Sequence, residues 1–308
     1  MLYPFTFRPL CQERVWGGRR LAELFGKDLP PGKPIGETWE ISDRPGAVSE
    51  ITNGPLAGRN LRWLMEHHAT DLLGDAPPSN GRFPLLIKLI DAHANLSIQV
   101  HPPETIAAQL GGEPKTEAWH IAHADPGARL YAGLKNGTTR ESFKEHLRNG
   151  TLAECLHSLG VKTGDALFLP SGRLHALGGG TVVIEVQQNS DTTYRVFDWN
   201  RTGLDGQPRE LHLEPALASI DFADHEPALA PTGVIAGPPG PFRMESRSLA
   251  PGETVPCPGP SIVGLALGAV ALGEIQLAAG GFALVPACAT DAIIQATAQT
   301  TLILARPA

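Results

Sequence analysis

The segment Gly164–His175 constrains this chain more than any other stretch. It reads Gly164, five residues, Pro170, one residue, Gly172, two residues, His175. Gly164-Asp165 suits a hairpin turn, and Ala166–Leu169 is a short apolar strand. Pro170 stops that strand, and Gly172 permits a positive φ. The chain then re-enters a strand with His175 facing inward, followed by Gly178, Gly179 and Gly180. The same punctuation runs through the whole sequence. With 34 Gly and 28 Pro among 308 residues, turns are frequent. That predicts an all-β body rather than a helix bundle.

A second constraint lies upstream, in Leu-Ser-Ile-Gln-Val-His-Pro-Pro (96–103). The run alternates, and β-branched Ile98 and Val100 mark a strand. Residues i and i+2 of a strand share a face, so Gln99 and His101 project together. Glu117 follows in Lys-Thr-Glu-Ala-Trp-His, and His175 closes the Gly-Pro-Gly segment. Two imidazoles, one carboxylate and one amide oxygen make a shell that suits Zn²⁺, one ion per chain, with water or substrate completing it.

The spacing from Gly164 to His175 resembles the second motif of the cupin superfamily, small antiparallel β-barrels that hold a metal in the barrel mouth. The first cupin motif departs from the usual His-x-His: here it is Gln99-x-His101, with its Glu further on at 117. That departure, with Pro-Ile-Gly-Glu-Thr-Trp-Glu-Ile-Ser (34–42), Leu-Ile-Lys-Leu-Ile-Asp-Ala (86–92), Lys-Thr-Glu-Ala-Trp (115–119) and Ile-Glu-Val-Gln-Gln-Asn-Ser-Asp-Thr-Thr-Tyr-Arg-Val-Phe-Asp-Trp (184–199), resembles the type I mannose-6-phosphate isomerases in their short bacterial form. The likeness spans roughly residues 4–201 and fades after 205. It implies that Gln99, His101, Glu117 and His175 are zinc ligands and that Arg195 is an active-site arginine.

The implied reaction is a zinc-dependent aldose–ketose interconversion of mannose 6-phosphate and fructose 6-phosphate through an enediol. Arg195 would stabilise charge on the carbonyl oxygen. Lys88, in the apolar run Leu85–Ile90, needs a polar cavity to stay charged and is placed in the site. Lys88, Ser97, Lys115 and Arg201 are candidates for holding the phosphate. For the base, Asp191, Lys88, a zinc-bound water and His120 stay open. Trp16, Trp39 and Trp199 read as scaffold. Two rival functions share these features: another metal-dependent cupin enzyme such as an oxygenase, and a non-catalytic sugar-phosphate-binding cupin.

Along the chain, the expected elements are a strand at Tyr3–Arg8, a helical turn at Arg19–Phe25, a strand at Thr38–Ser42 and a helix at Arg62–Leu73. One or two helices are expected over 142–159, broken at Asn149-Gly150. Residues 1–230 are expected to form the catalytic cupin domain, with helical excursions at 61–73 and 142–159. A Pro/Gly-rich connector covers 226–240. Residues 241–308 hold short apolar strands, at Ser261–Leu267, Glu274–Leu277, Phe282–Val285 and Thr300–Ala305. That region has no histidine, the last being His225. The fold class is therefore mainly β: two cupin-like antiparallel barrels of jelly-roll type with a few short helices, the second free of metal.

A formal net charge of −7 and the lack of a dense Lys/Arg run argue against nucleic acid and anionic membrane as partners. The N-terminus lacks a signal-peptide layout, and Cys11, Cys155, Cys257 and Cys288 form no CxxC pair. A cytoplasmic enzyme, monomer or homodimer, acting on a small sugar phosphate is the expectation.

Overall fold

Residue parity along a few central strands divides the molecule into layers. The computed structural model describes residues 2–231 and 233–308. A six-stranded antiparallel sheet runs in the order Leu10–Gly18, Ile35–Ile41, Leu85–Ala92, Thr181–Gln188, Glu117–Ala124, Ala166–Leu169. Leu85, Ile87, Leu89, Ala118, Val182, Ile184 and Val186 point to one side. There they share a core with Phe242, Ile262, Phe282, Leu284 and Ile303 of the C-terminal region. Ile90, Ala92, Trp119, Ile121 and Val183 point to the other side. Alternation thus feeds two cores from one sheet, which is why these strands read as almost continuous apolar runs.

A five-stranded sheet faces the second side, in the order Tyr194–Phe197, Ile98–Val100, His175–Leu177, Arg129–Leu134, Leu156–Gly160. Its outward residues Ile98, Val100, Ala176, Tyr194 and Val196 pack with Phe143 of the helix Arg140–Asn149 and Ala216 of the helix Leu213–Ser219. Gln99, His175 and Arg195, of opposite parity, face inward. Gly178 is obligatory at the end of its strand, because a Cβ there would collide with the Arg129 carbonyl.

The C-terminal strands form two further antiparallel sheets. One has the order Val234–Ala236, Phe242–Leu249, Thr300–Pro307, Ser261–Leu267, Phe282–Val285; the other Thr254–Pro256, Ile293–Ala296, Ala269–Leu272, Ile275–Ala278. Val263, Leu265, Val270, Leu272, Ile294 and Leu302 fill the space between them. Phe5 exchanges backbone hydrogen bonds with Leu284, tying the N-terminal segment to this half. No helix among the described residues is long and apolar enough to cross a membrane.

The strands at 261–267 and 282–285 agree with the sequence reading to the residue. The helix Leu61–Leu73 buries Leu61, Leu64, Met65 and Leu72, and Asn60 caps it through its side chain. Two expectations are corrected. Tyr3–Arg8 makes only isolated bridges, at Phe5 and Phe7. The stretch 142–159 is not helical throughout: the helix ends at Gly150 in the left-handed conformation, and Leu156–Gly160 is an edge strand on Arg129–Leu134. His157 is therefore a strand residue.

Candidate active site and metal centre

Cross-strand register assembles the site. On the six-stranded sheet, Trp39, Lys88, Glu185 and Trp119 are successive lateral neighbours. One row over, Gln187 pairs with Glu117. On the facing sheet, Arg195, Gln99 and His175 form one lateral row. Pairing alone therefore collects these polar groups between two apolar layers.

His101, Glu117 and His175 converge so that their ligand atoms lie within 4.8 Å of one another, and all three are buried. His101 Nε2 is 3.2 Å from Glu117 Oε1, and His175 Nε2 is 3.4 Å from Glu117 Oε2. Each ring donates its Nδ1–H to a backbone carbonyl, His101 to Thr192 O at 2.8 Å and His175 to Arg173 O at 2.9 Å. A carbonyl only accepts, so both Nε2 atoms carry lone pairs directed at a carboxylate. Neither Glu117 oxygen has a well-angled hydrogen-bond donor, although Lys115 Nζ lies 2.8 Å from Oε1. The Gln99 amide ends 3.3 Å from His175 Nε2, and turning the amide over puts its oxygen there. Three acceptors facing one another with an amide at their side fit a divalent cation.

Electrostatics reinforce the geometry. Burial drives His101 down to about 3, helped by Lys115, so its ring is neutral. Burial alone would raise Glu117, but Lys115, His101 and His175 outweigh it and hold the carboxyl well below its usual range. The Thr192 carbonyl is itself fixed: Glu113 N–H donates to Thr192 Oγ1 at 3.0 Å, and Arg44 Nη1 donates to Asn189 O at 2.7 Å.

Above the cluster opens a cavity of about 580 Å³. Of the sequence candidates, Ser97, Gln99, Lys88, Lys115, Asp191 and Arg195 line it. His101, Glu117, His175 and Arg201 are not among its lining residues. The Arg201 guanidinium binds Asp198 at 2.8 and 3.1 Å and Asn95 O at 2.5 Å. Trp16, read as scaffold, joins the lining. His120 is removed from the site, because it stands on the opposite sheet face from Glu117, opposite Ile184. His93 is exposed and His123 pairs with Asp125 at 3.2 Å. Glu185, Glu37, Arg14 and Arg209 are among the lining residues that the sequence did not mark as candidates. Glu185 was recoverable, since a lone acid in Val-Val-Ile-Glu-Val is as anomalous as Lys88; the two arginines carry no local signal.

Lys88 Nζ lies 3.0 Å from Glu185 Oε2, and Trp119 Nε1 donates to Glu185 Oε1 at 2.8 Å. Burial alone would lower the Lys88 ammonium, but Glu185, Glu37, Glu117 and Asp191 hold it above the ordinary lysine value. Lys88 is therefore a fixed positive charge.

Comparison with known proteins decides the family. Residues 5–115 match the family model for the phosphomannose isomerase type I catalytic domain. Over 220 residues, 71% of this chain and 68% of its relative, the chain is 40% identical to the mannose-6-phosphate isomerase ManA of Bacillus subtilis (strain 168). The chain belongs to the type I mannose-6-phosphate isomerases. As a mannose-6-phosphate isomerase family member it is an enzyme, and its fold agrees. The crystal structure of the mannose 6-phosphate isomerase from Bacillus subtilis covers 99% of this chain and 100% of its own, with a TM-score of 0.86 and 29% identity. A more distant likeness, of fold alone, is to a mannose 6-phosphate isomerase structure described as bound with zinc and yttrium, at a TM-score of 0.74 and 19% identity over 99% of this chain and 100% of that one. The family match at 5–115 includes Gln99 and His101 and stops short of Glu117 and His175.

Proposed function

We propose that this isomerase interconverts mannose 6-phosphate and fructose 6-phosphate, with one Zn²⁺ per chain held by Gln99, His101, Glu117 and His175. The observation that carries the reading is the convergence of two imidazole lone pairs on one fully buried carboxylate. Lys115 offsets part of the charge at Glu117 Oε1, and the facing acceptors leave room for a metal ion to bind. When bound, zinc supplies Lewis-acid polarisation to a sugar oxygen and leaves the site net positive, since only one ligand is anionic.

The remaining steps belong to the chain's own residues. The reaction moves a proton between C1 and C2 of the opened sugar through an enediol, and negative charge builds on the carbonyl oxygen. Arg195, in the same lateral row as Gln99 and His175, meets that charge with a guanidinium that stays protonated. Lys88 adds fixed positive potential and is unsuited to accept a proton in the resting enzyme. With His120 on the other sheet face, Asp191 becomes the chain's own candidate for carrying the proton, since it lines the cavity. Ser97 and Lys115, also lining it, orient hydroxyls. We further read residues 1–230 as the catalytic domain and 241–308 as a metal-free partner, each a jelly-roll barrel of cupin type, in a cytoplasmic enzyme.

Coupled detection of fructose 6-phosphate formed from mannose 6-phosphate tests the reading. Turnover is expected with purified protein; absence of product from metal-replete protein would sink it.

A further inference from the structure

Both imidazoles of the metal cluster are oriented from behind, through the backbone carbonyl that each Nδ1–H meets. For His175 that carbonyl belongs to Arg173, at 2.9 Å. The Arg173 side chain is itself fully engaged. Its Nε and Nη2 donate to the two oxygens of Asp224, each at 2.8 Å, and its Nη1 donates to Phe168 O at 2.7 Å. Neither Arg173 nor Asp224 is among the residues lining the cavity, and their side chains are only 14% and 15% exposed. A forked pair in which every guanidinium nitrogen donates is far more directional than a surface ion pair.

The anchors of this fork belong to the elements that carry the ligands. Phe168 lies on the strand Ala166–Leu169, where its neighbour Leu169 pairs with Glu117. Gly172, one residue before Arg173, donates its N–H to His101 O at 2.8 Å. Asp224 is pinned by the strand beside His175. Leu134 N–H donates to Asp224 O at 2.9 Å, Gly133 N–H donates to Leu174 O at 2.8 Å, and Ala132 is the lateral partner of His175. Asp221 N–H donates to Gly172 O at 2.9 Å and closes the turn from the other side. One guanidinium thus ties the turn before His175 to the strand next to Glu117 and to the segment after the helix Leu213–Ser219. The χ2 torsion of histidine is soft, so the direction of Nε2 follows the carbonyl that holds Nδ1.

We propose that the Arg173–Asp224 fork positions His175 for the metal. It holds the carbonyl that takes the Nδ1 proton, keeps Nε2 aimed at Glu117, and so sets how tightly the site binds a divalent cation. Among the described residues neither side chain hydrogen-bonds to a side chain of His101, Glu117 or His175; both act through the backbone as positioning residues. This inference rests on the metal reading of those three ligands.

The test measures zinc affinity by competition with a chelator, and the visible spectrum of the cobalt-substituted protein. It compares wild type with Arg173→Gln, Asp224→Asn, the double variant and Arg173→Lys, each below the unfolding temperature of its metal-free form. Losing the support behind a metal ligand corresponds to about 10- to 100-fold in metal affinity. R173Q and D224N should each weaken zinc binding by about that factor and shift the cobalt bands. The double variant should lose little more than either single one, because the two side chains act as one unit, and R173K should recover only part. Lower unfolding temperatures with wild-type zinc affinity and an unchanged cobalt spectrum would make the fork a fold contact only and overturn the proposal. Losses that simply add in the double variant would overturn it too. Should R173Q fail to fold, D224N, which keeps the shape of its side chain, and R173K carry the comparison by the same criteria. Wild type that binds neither ion would refute the metal reading and this inference with it; variants that match a metal-binding wild type refute this inference alone.

Discussion

Glu117 and His120, three residues apart on one strand, face different cores. Glu117 pairs laterally with Gln187 on the side of the cavity, and His120 with Ile184 on the side shared with the C-terminal sheets. Odd separation on a strand places side chains on opposite faces, so closeness in sequence misleads here.

His120 should act on stability and not on chemistry. Burial lowers its pKa from an ordinary 6.5 to about 4, against the pull of Asp165. Below pH 6.5 the unfolded chain takes up a proton that the folded one refuses, so stability falls as pH drops toward 4. The full effect is up to about 3 kcal/mol. Denaturant midpoints between pH 7 and pH 4 should show this slope in wild type and lose much of it in His120→Leu. A large loss of kcat in H120L at neutral pH would return His120 to the active site.

Glu37 works in a lower window. Burial opposes its charge, but Lys88, Arg14 and the Trp39 N–H outweigh burial and bring its pKa from 4.5 to about 2. Its contribution is present above pH 4.5 and disappears as pH falls toward 2. Glu37→Gln should cost roughly 3 kcal/mol at neutral pH and flatten that acid limb in equilibrium unfolding. Identical acid limbs for the two proteins would refute the assignment.

Much of the site was legible in the sequence because strand parity and turn chemistry are local. Gln99 and His101 flank one residue, and Gly172 does adopt a positive φ, of 94°. His175 follows at the start of its strand. What escaped was set by distant pairing. Leu156–Gly160 becomes a strand because Arg129–Leu134 offers an edge, not because of its own propensity. Leu10–Gly18 is a half-exposed edge strand whose polar residues hide the alternation. Arg14 and Arg209 line one cavity from segments that no window of sequence spans. Arg201, one of the phosphate candidates, is instead held by Asp198 and the Asn95 carbonyl.

Arg195 offers a test of the chemical step. Its guanidinium acts on charge that develops in the transition state, so Arg195→Ala should lower kcat by about a hundredfold or more. Metal content should not change, since Arg195 is not among the clustered ligands. Arg195→Lys should recover little, because an ammonium lacks the planar fork. Unchanged kcat with a raised KM in R195A would make the residue an anchor only.

The central claim, that this chain is an isomerase dependent on a metal at His101, Glu117 and His175, is tested most directly by one titration. Fructose 6-phosphate formation and bound zinc are measured together while a chelator strips the protein and zinc is returned. The account predicts about one zinc per chain, loss of turnover in step with loss of metal and recovery on re-addition, and weak metal retention in His101→Ala and His175→Ala. Full turnover by protein shown to be free of metal would contradict it.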